Sequence, residues 1–238
     1  MMFLALGSSV AFAGLIDDFS SPGLPEYNLN KILDQNAGAT NISFSDVAGS
    51  LAGISTATTG AEQVLFFRND GITLGTGQEL QVDGPVTDSG TGTEDLGLAV
   101  GQLPTSLGDP AAGSTRNLAD YMFISFRGPT QLNSRGFNGN AEIGQVQSFG
   151  VNADTLFIAR LANDDMELGY YTGATRTVVR TVTPVTTDIY SNVGFYADLR
   201  ADGATLAGLD NLRIIPEPAS FVLVGMSVLG MLAARRRM

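Results

Sequence analysis

The chain has 238 residues and contains no cysteine, no histidine and no tryptophan; Lys31 is its only lysine. Without cysteine there are no disulfides and no thiol nucleophile. Without imidazole there is no histidine general base, no Ser-His-Asp arrangement and no zinc site of the usual Cys/His kind. Charge is scarce and one-sided, with 24 acidic against 13 basic residues and a net charge of −11. That balance excludes nucleic acid as a partner, because a phosphate backbone demands clustered cations. What the chain does have is 44% hydrophobic residues, enough to fill a core and incompatible with compositional disorder. Its length suits one β-type domain with appendages.

The appendages are at the ends. Residues 1–10 are small and apolar, followed by Ala11-Phe12-Ala13 and then Gly14. Alanine at both flanking positions fits the small-residue cleavage site of a secretory leader, which puts the mature start at Gly14. No Lys or Arg precedes the apolar run, a departure from the leader pattern, and a hydrophobic first strand is the alternative. At the other end, Pro216-Glu217-Pro218 leads into an apolar run over 221–234 that closes with Arg235, Arg236 and Arg237. As a helix those 14 residues rise about 21 Å. That is a short, single transmembrane helix, lengthened by flanking residues and by arginines that snorkel. Three arginines hold their end in the cytoplasm and leave the body outside the inner membrane. A buried core helix is the alternative.

The order Pro-Glu-Pro, short apolar helix with Gly225 and Gly230, terminal arginine cluster resembles the PEP-CTERM sorting signal over 216–238. That resemblance implies a Gram-negative bacterium making extracellular polysaccharide, and an exosortase that reads Pro216, Glu217 and Pro218. It also implies a transient anchor in the inner membrane, then placement at the cell surface or in the extracellular matrix. Two prolines fix φ on either side of Glu217 and so present an extended segment for an enzyme groove.

The body, 14–215, carries ten basic and 23 acidic residues, the terminal arginines and Glu217 being excluded, for a net of −13. Short runs of β-branched and aromatic residues alternate with Gly, Pro, Asn, Asp and Ser. Candidate strands cover 15–19, 41–45, 51–58, 63–68, 71–74, 79–82, 96–100, 121–126, 142–149, 155–162, 167–171, 176–183, 192–199 and 211–215. Both faces of 121–126 are apolar, as in a central strand. The run 177–182 is mixed, as in a half-exposed one. Asn69-Asp70-Gly71 reads as a hairpin turn with φ > 0 at Gly71. Residues 83–94 and 101–117 read as long loops. No helical stripe persists in the body, so the fold class is all-β, a two-sheet antiparallel β-sandwich of jelly-roll type.

Asp17-Asp18-Phe19 near the start, Val193-Gly194-Phe195-Tyr196-Ala197 late in the chain and the closing Gly208-Leu209-Asp210-Asn211-Leu212-Arg213-Ile214 resemble concanavalin-like lectin and glucanase jelly rolls. The resemblance implies neighbouring first and last strands and a structural calcium where they meet, held by Asp17 or Asp18 with Asp210. Asp210 equally suits a turn cap, and an unrelated jelly roll is the rival reading. The glucanase motif Glu-x-Asp-x-x-Glu is absent. Asp165 and Glu167, two apart, would share one face of a strand, but a solvated Asn-Asp-Asp turn is the plainer reading. Phe137, Tyr170 and Tyr171 are candidate glycan contacts, with core packing as the alternative.

The sequence therefore points to an exported surface or matrix protein that is not an enzyme, associated with extracellular polysaccharide. A carbohydrate-binding module and a glycan-active hydrolase are the alternatives. Amino-terminal sequencing of the secreted form should begin at Gly14; Met1 retained on secreted protein defeats the leader reading.

Overall fold

The computed structural model of the chain describes residues 14–20, 23–34, 41–56, 60–88, 94–102, 113–114, 119–128, 130–139, 141–200 and 205–216. Residues 1–13 with Ala11 and Ala13, Glu217, Pro218, the apolar run 221–234 and Arg235 to Arg237 lie outside the described residues. Among the described residues no helix is long and apolar enough to cross a membrane. Helix is confined there to a 3-10 turn, Thr187–Tyr190.

The chain is a sandwich of two antiparallel sheets. One runs β15 (Thr175–Val182), β14 (Met166–Thr172), β13 (Thr155–Arg160), β6 (Gln78–Asp83), β17 (Thr205–Pro216), β4 (Leu51–Ser55) and β3 (Ile42–Asp46). Two short strands, β1 (Gly14–Asp17) and β7 (Thr87–Asp88), also pair with β17 and bring this sheet to nine strands. The eight-stranded sheet runs β12 (Ala141–Phe149), β11 (Gln131–Asn138), β10 (Asp120–Phe126), β8 (Asp95–Gln102), β16 (Asn192–Leu199), β5 (Glu62–Arg68), β2 (Tyr27–Asp34) and β9 (Gly113–Ser114).

Period-two alternation explains the packing. Leu80, Val82, Leu156 and Ile158 from one sheet meet Leu96, Leu98, Met122, Ile124 and Phe195 from the other in the main core. In β10 the opposite residues, Tyr121 and Phe123, are buried too, so both faces are covered, as the sequence of 121–126 implied. β15, with its mixed pattern, is an edge strand. The first and last strands are neighbours, with Gly14 opposite Ile214 and Asp17 opposite Leu212. Lys31 in β2 is 6% exposed, and the body's two methionines, Met122 and Met166, are fully buried.

Besides two short strands, β7 and β9, inside the stretches read as long loops, four elements differ from the sequence reading. Gly71 has the expected positive φ, +80°, but 72–74 is not a strand. The turn carries the chain from β5 in one sheet towards β6 in the other, so no hairpin is needed. β2 and β11 are strands where their Asn and Gly content read as punctuation; β11 lies between β10 and β12, and β2 is paired along its length with β5 and at its end with β9. β17 begins six residues earlier than expected, at Thr205, and breaks register at 207–209 and 210–213. Those breaks let one strand serve β4 and β7 with its first half and β6 and β1 with its second.

On the outer face of the nine-stranded sheet a hydrogen-bonded layer replaces apolar packing. The Arg176 guanidinium lies 4.0 Å from the Phe157 ring centroid and pairs with Glu79 at 3.0 Å and Glu167 at 2.7 Å. Arg213 pairs with Asp83 at 2.8 Å. The Phe157 ring lies over its cross-strand partner Gly169, where an added Cβ would stand 2.5 Å from the ring and collide with the Thr177 carbonyl oxygen. Gly169→Ala should therefore destabilise the protein by about 1–3 kcal/mol through overpacking. Chemical denaturation checks this; an unchanged midpoint would show that the strand yields freely.

Candidate functional site

The outer face of the eight-stranded sheet has two zones. The apolar zone comes from alternate residues of six strands, among them Ile32, Leu65, Phe67, Ala99, Phe123 and Tyr196, all at most 2% exposed. Phe123 and Tyr196 stack at 3.6 Å and 6°. Burial holds the Tyr196 hydroxyl neutral, pushing its pKa well above the ordinary value.

The polar zone lies at the other end of the same strands. Asp95 of β8 and Asp198 of β16 sit directly opposite each other, a placement that brings Cβ atoms within about 4.5–5.5 Å. Both are buried. The Asp95 carboxylate accepts from Ser125 Oγ at 3.0 Å, Arg127 Nε at 3.2 Å, Arg127 Nη2 at 2.5 Å and Asn133 Nδ2 at 3.2 Å. Asp198 accepts from Arg200 Nε at 3.0 Å, Arg200 Nη2 at 2.6 Å and Gln63 Nε2 at 2.8 Å. Gln145 completes the layer by donating to Asn133 Oδ1 at 2.8 Å. Burial pushes the Asp95 carboxyl up to about 6 against the pull of Arg127, and the Asp198 charge adds to the push.

Two facing acids invite comparison with the carboxyl pair of glycoside hydrolysis, whose retaining form holds the two groups about 5–5.5 Å apart. A general acid must aim a proton at a leaving oxygen, whereas all four oxygens of this pair accept hydrogen bonds from the protein itself.

The residues singled out in the sequence fall elsewhere. Phe137 is 7% exposed in the apolar zone, its ring 5.8 Å from that of Tyr121, so it packs where an exposed platform was expected. Tyr170 packs against the main core on β14. Tyr171 points to the outer face of the nine-stranded sheet, donates to Glu79 Oε1 at 2.8 Å and is pushed up to about 12, chiefly by burial. The three do not form one surface. Asp165 lies in the turn before β14 and accepts from Thr183 Oγ1 at 2.7 Å, while Glu167 holds Arg176.

The expected calcium ligands do not converge either. The Asp17 carboxylate accepts from the Phe19 N–H at 2.8 Å and the Tyr27 hydroxyl at 3.1 Å, with the Arg68 guanidinium 3.6 Å away. Asp18 is exposed and accepts from the Ser20 hydroxyl and N–H, which hold its pKa below the ordinary value. Asp210 accepts from the Asn211 N–H at 2.7 Å, as a turn cap. Among the described residues no group of three or more acidic side chains could hold a metal. The strands meet as expected, but Asp17, Asp18 and Asp210 each serve a separate set of protein donors and do not fit calcium.

Sequence reasoning missed Asp95, Asp198, Arg127 and Arg200. One signal was available: each acid sits at the end of a strand that is otherwise apolar on both faces, where a charge has to be paired.

The fold is a jelly roll of the legume-lectin and concanavalin kind, and its solved neighbours include both lectins and a glucanase. A prokaryotic β-1,3-1,4-glucanase (lichenase) derived from a mouse hindgut metagenome matches 86% of this chain and 98% of its own, at TM-score 0.53 and 13% identity. Lectin II from Ulex europaeus matches 87% and 98%, at TM-score 0.53 and 10% identity. The legume lectin-like domain from Entamoeba histolytica matches 80% and 89%, at TM-score 0.51 and 13% identity. Residues 215–237 match the PEP-CTERM protein-sorting motif. No curated protein matches the chain by sequence.

The raised Asp95 pKa has a consequence for stability. Between the ordinary carboxyl value of about 3.9 and about 6 the folded state binds this proton more tightly than the unfolded chain. Stability from this group is thus lost as pH rises through that window, by at most about 1.4 kcal/mol per unit. The chain has no histidine to compete there. The unfolding midpoint should rise as pH falls from 7 to 5, and Asp95→Asn should flatten that limb. A parent midpoint that falls steadily over the same interval would contradict the burial argument.

Proposed function

We propose that this is an exported protein of the bacterial surface or extracellular matrix, sorted by an exosortase, with a non-catalytic lectin-like sandwich that associates with extracellular polysaccharide. The sorting motif supports the address: a leader ending before Gly14, a temporary anchor through 221–234 with Arg235 to Arg237 in the cytoplasm, and processing at Pro216-Glu217-Pro218. The protein's structural neighbours include two lectin folds and a glucanase, so the fold alone does not choose between binding and cleavage. The choice of a non-catalytic role rests on one observation: every oxygen of the Asp95/Asp198 pair is held by the protein's own donors.

Two measurements test the two halves. Replacing Pro216-Glu217-Pro218 with alanines should leave the protein in the inner-membrane fraction, and release at the parent rate would defeat the sorting half. The purified secreted form should release no reducing ends from the host's exopolysaccharide or from a mixed-linkage β-glucan, yet co-sediment with the former. Reducing-end release that Asp95→Asn abolishes would make the protein a hydrolase.

A further inference from the structure

Both ends of the body leave the sandwich at one place. Pro216, Gln78, Arg160, Met166 and Val182 are successive register partners across β17, β6, β13, β14 and β15, so they mark one rim. Gly14, the expected mature start, pairs with Ile214, two residues from Pro216. Pro216 itself is buried as the last residue of β17, so the sorting motif starts inside the sheet with no spacer. Only residues 217–220 separate it from the apolar run. Five residue steps span at most about 18 Å, so while the tail is in the membrane this rim must face it.

We propose that this rim is a docking surface for the membrane-embedded enzyme that processes the tail, a proposal that rests on the sorting reading above. Charge argues against lipid as the occupant. The loop between β13 and β14 carries Asp164 and Asp165, and the 3-10 turn carries an exposed Asp188. Arg160 is already paired with Asp164 at 2.7 Å. An acidic rim on a body of net charge −13 is repelled by anionic headgroups, and the occupant left is the enzyme that has to reach the adjoining Pro216-Glu217-Pro218. Val185, 67% exposed, adds an apolar contact beside it.

The cysteine-free chain gives a clean test. Val185→Cys and Thr175→Cys place single thiols just past one end of β15 and at the other. Each full-length variant is coupled to a benzophenone maleimide in membranes that contain the processing enzyme. The label at 185 should crosslink to that enzyme at least tenfold more than the label at 175. Equal crosslinking, or crosslinks from 185 to lipid alone, overturns the proposal. Asp188→Lys, on an exposed turn, should slow tail removal at least threefold with an unchanged melting temperature; removal at the parent rate also overturns it. The variant with alanines at 216–218 is scored in the same cells. Its failure to lose the tail shows the sorting reading intact, so equal crosslinking then counts against docking alone.

Discussion

The constraint on which this molecule depends is that the central strands of its eight-stranded sheet are buried on both faces. An exported domain without disulfides must draw its stability from core area, and one interlayer does not exhaust the apolar residues here. Phe195 and Met122 face the main core, while their strand neighbours Tyr196 and Phe123 pack on the other side. Any charge placed on those strands is then removed from water and has to be neutralised within the sheet. Asp95 and Asp198 are the result: an acidic pair that survives burial because each has its own arginine fork, the geometry best suited to a carboxylate.

The same logic distributes the rest of the charge. Of the body's ten basic residues, Arg68, Arg127, Arg135, Arg160, Arg176, Arg200 and Arg213 are in ion pairs with acids. Arg180 instead donates to the Ser134 and Gly144 carbonyls and so ties β15 to the edge of the facing sheet. Cations serve as ties on the sheet faces and edges, and the unpaired excess is left to the acids. The acidic surface is thus a consequence of internal construction as much as of adaptation to an exported setting.

The sequence made some of this legible. The double-faced apolar pattern of 121–126 identified a central strand because burial on both sides leaves few polar letters. The mixed run 177–182 identified a half-exposed strand for the opposite reason, and it lies at a sheet edge. β2 and β11 were hidden because Asn28, Asn30, Asn133 and Asn138 carry turn propensity that the surrounding ladder overrides. The false strand at 71–74 arose because a positive φ at Gly71 is common to hairpins and to connections between sheets. The polar zone was harder still. Asp95 and Asp198 are 103 positions apart, and their apposition follows from strand order alone. Phe137, Tyr170 and Tyr171 are aromatic letters that look alike in sequence and turn to three different environments.

One feature of the interior bears on chemical durability. The body's only primary amine on a side chain is Lys31, inside β2, and its two thioethers, Met122 and Met166, are in the main core. With no thiol and no imidazole beside them, little on the outside of the sandwich can condense with the aldehyde form of a reducing sugar or take up oxygen from peroxide. A body made this way offers glycation and oxidation few targets beyond its terminal amine, because the side chains those reactions attack are either absent or packed away.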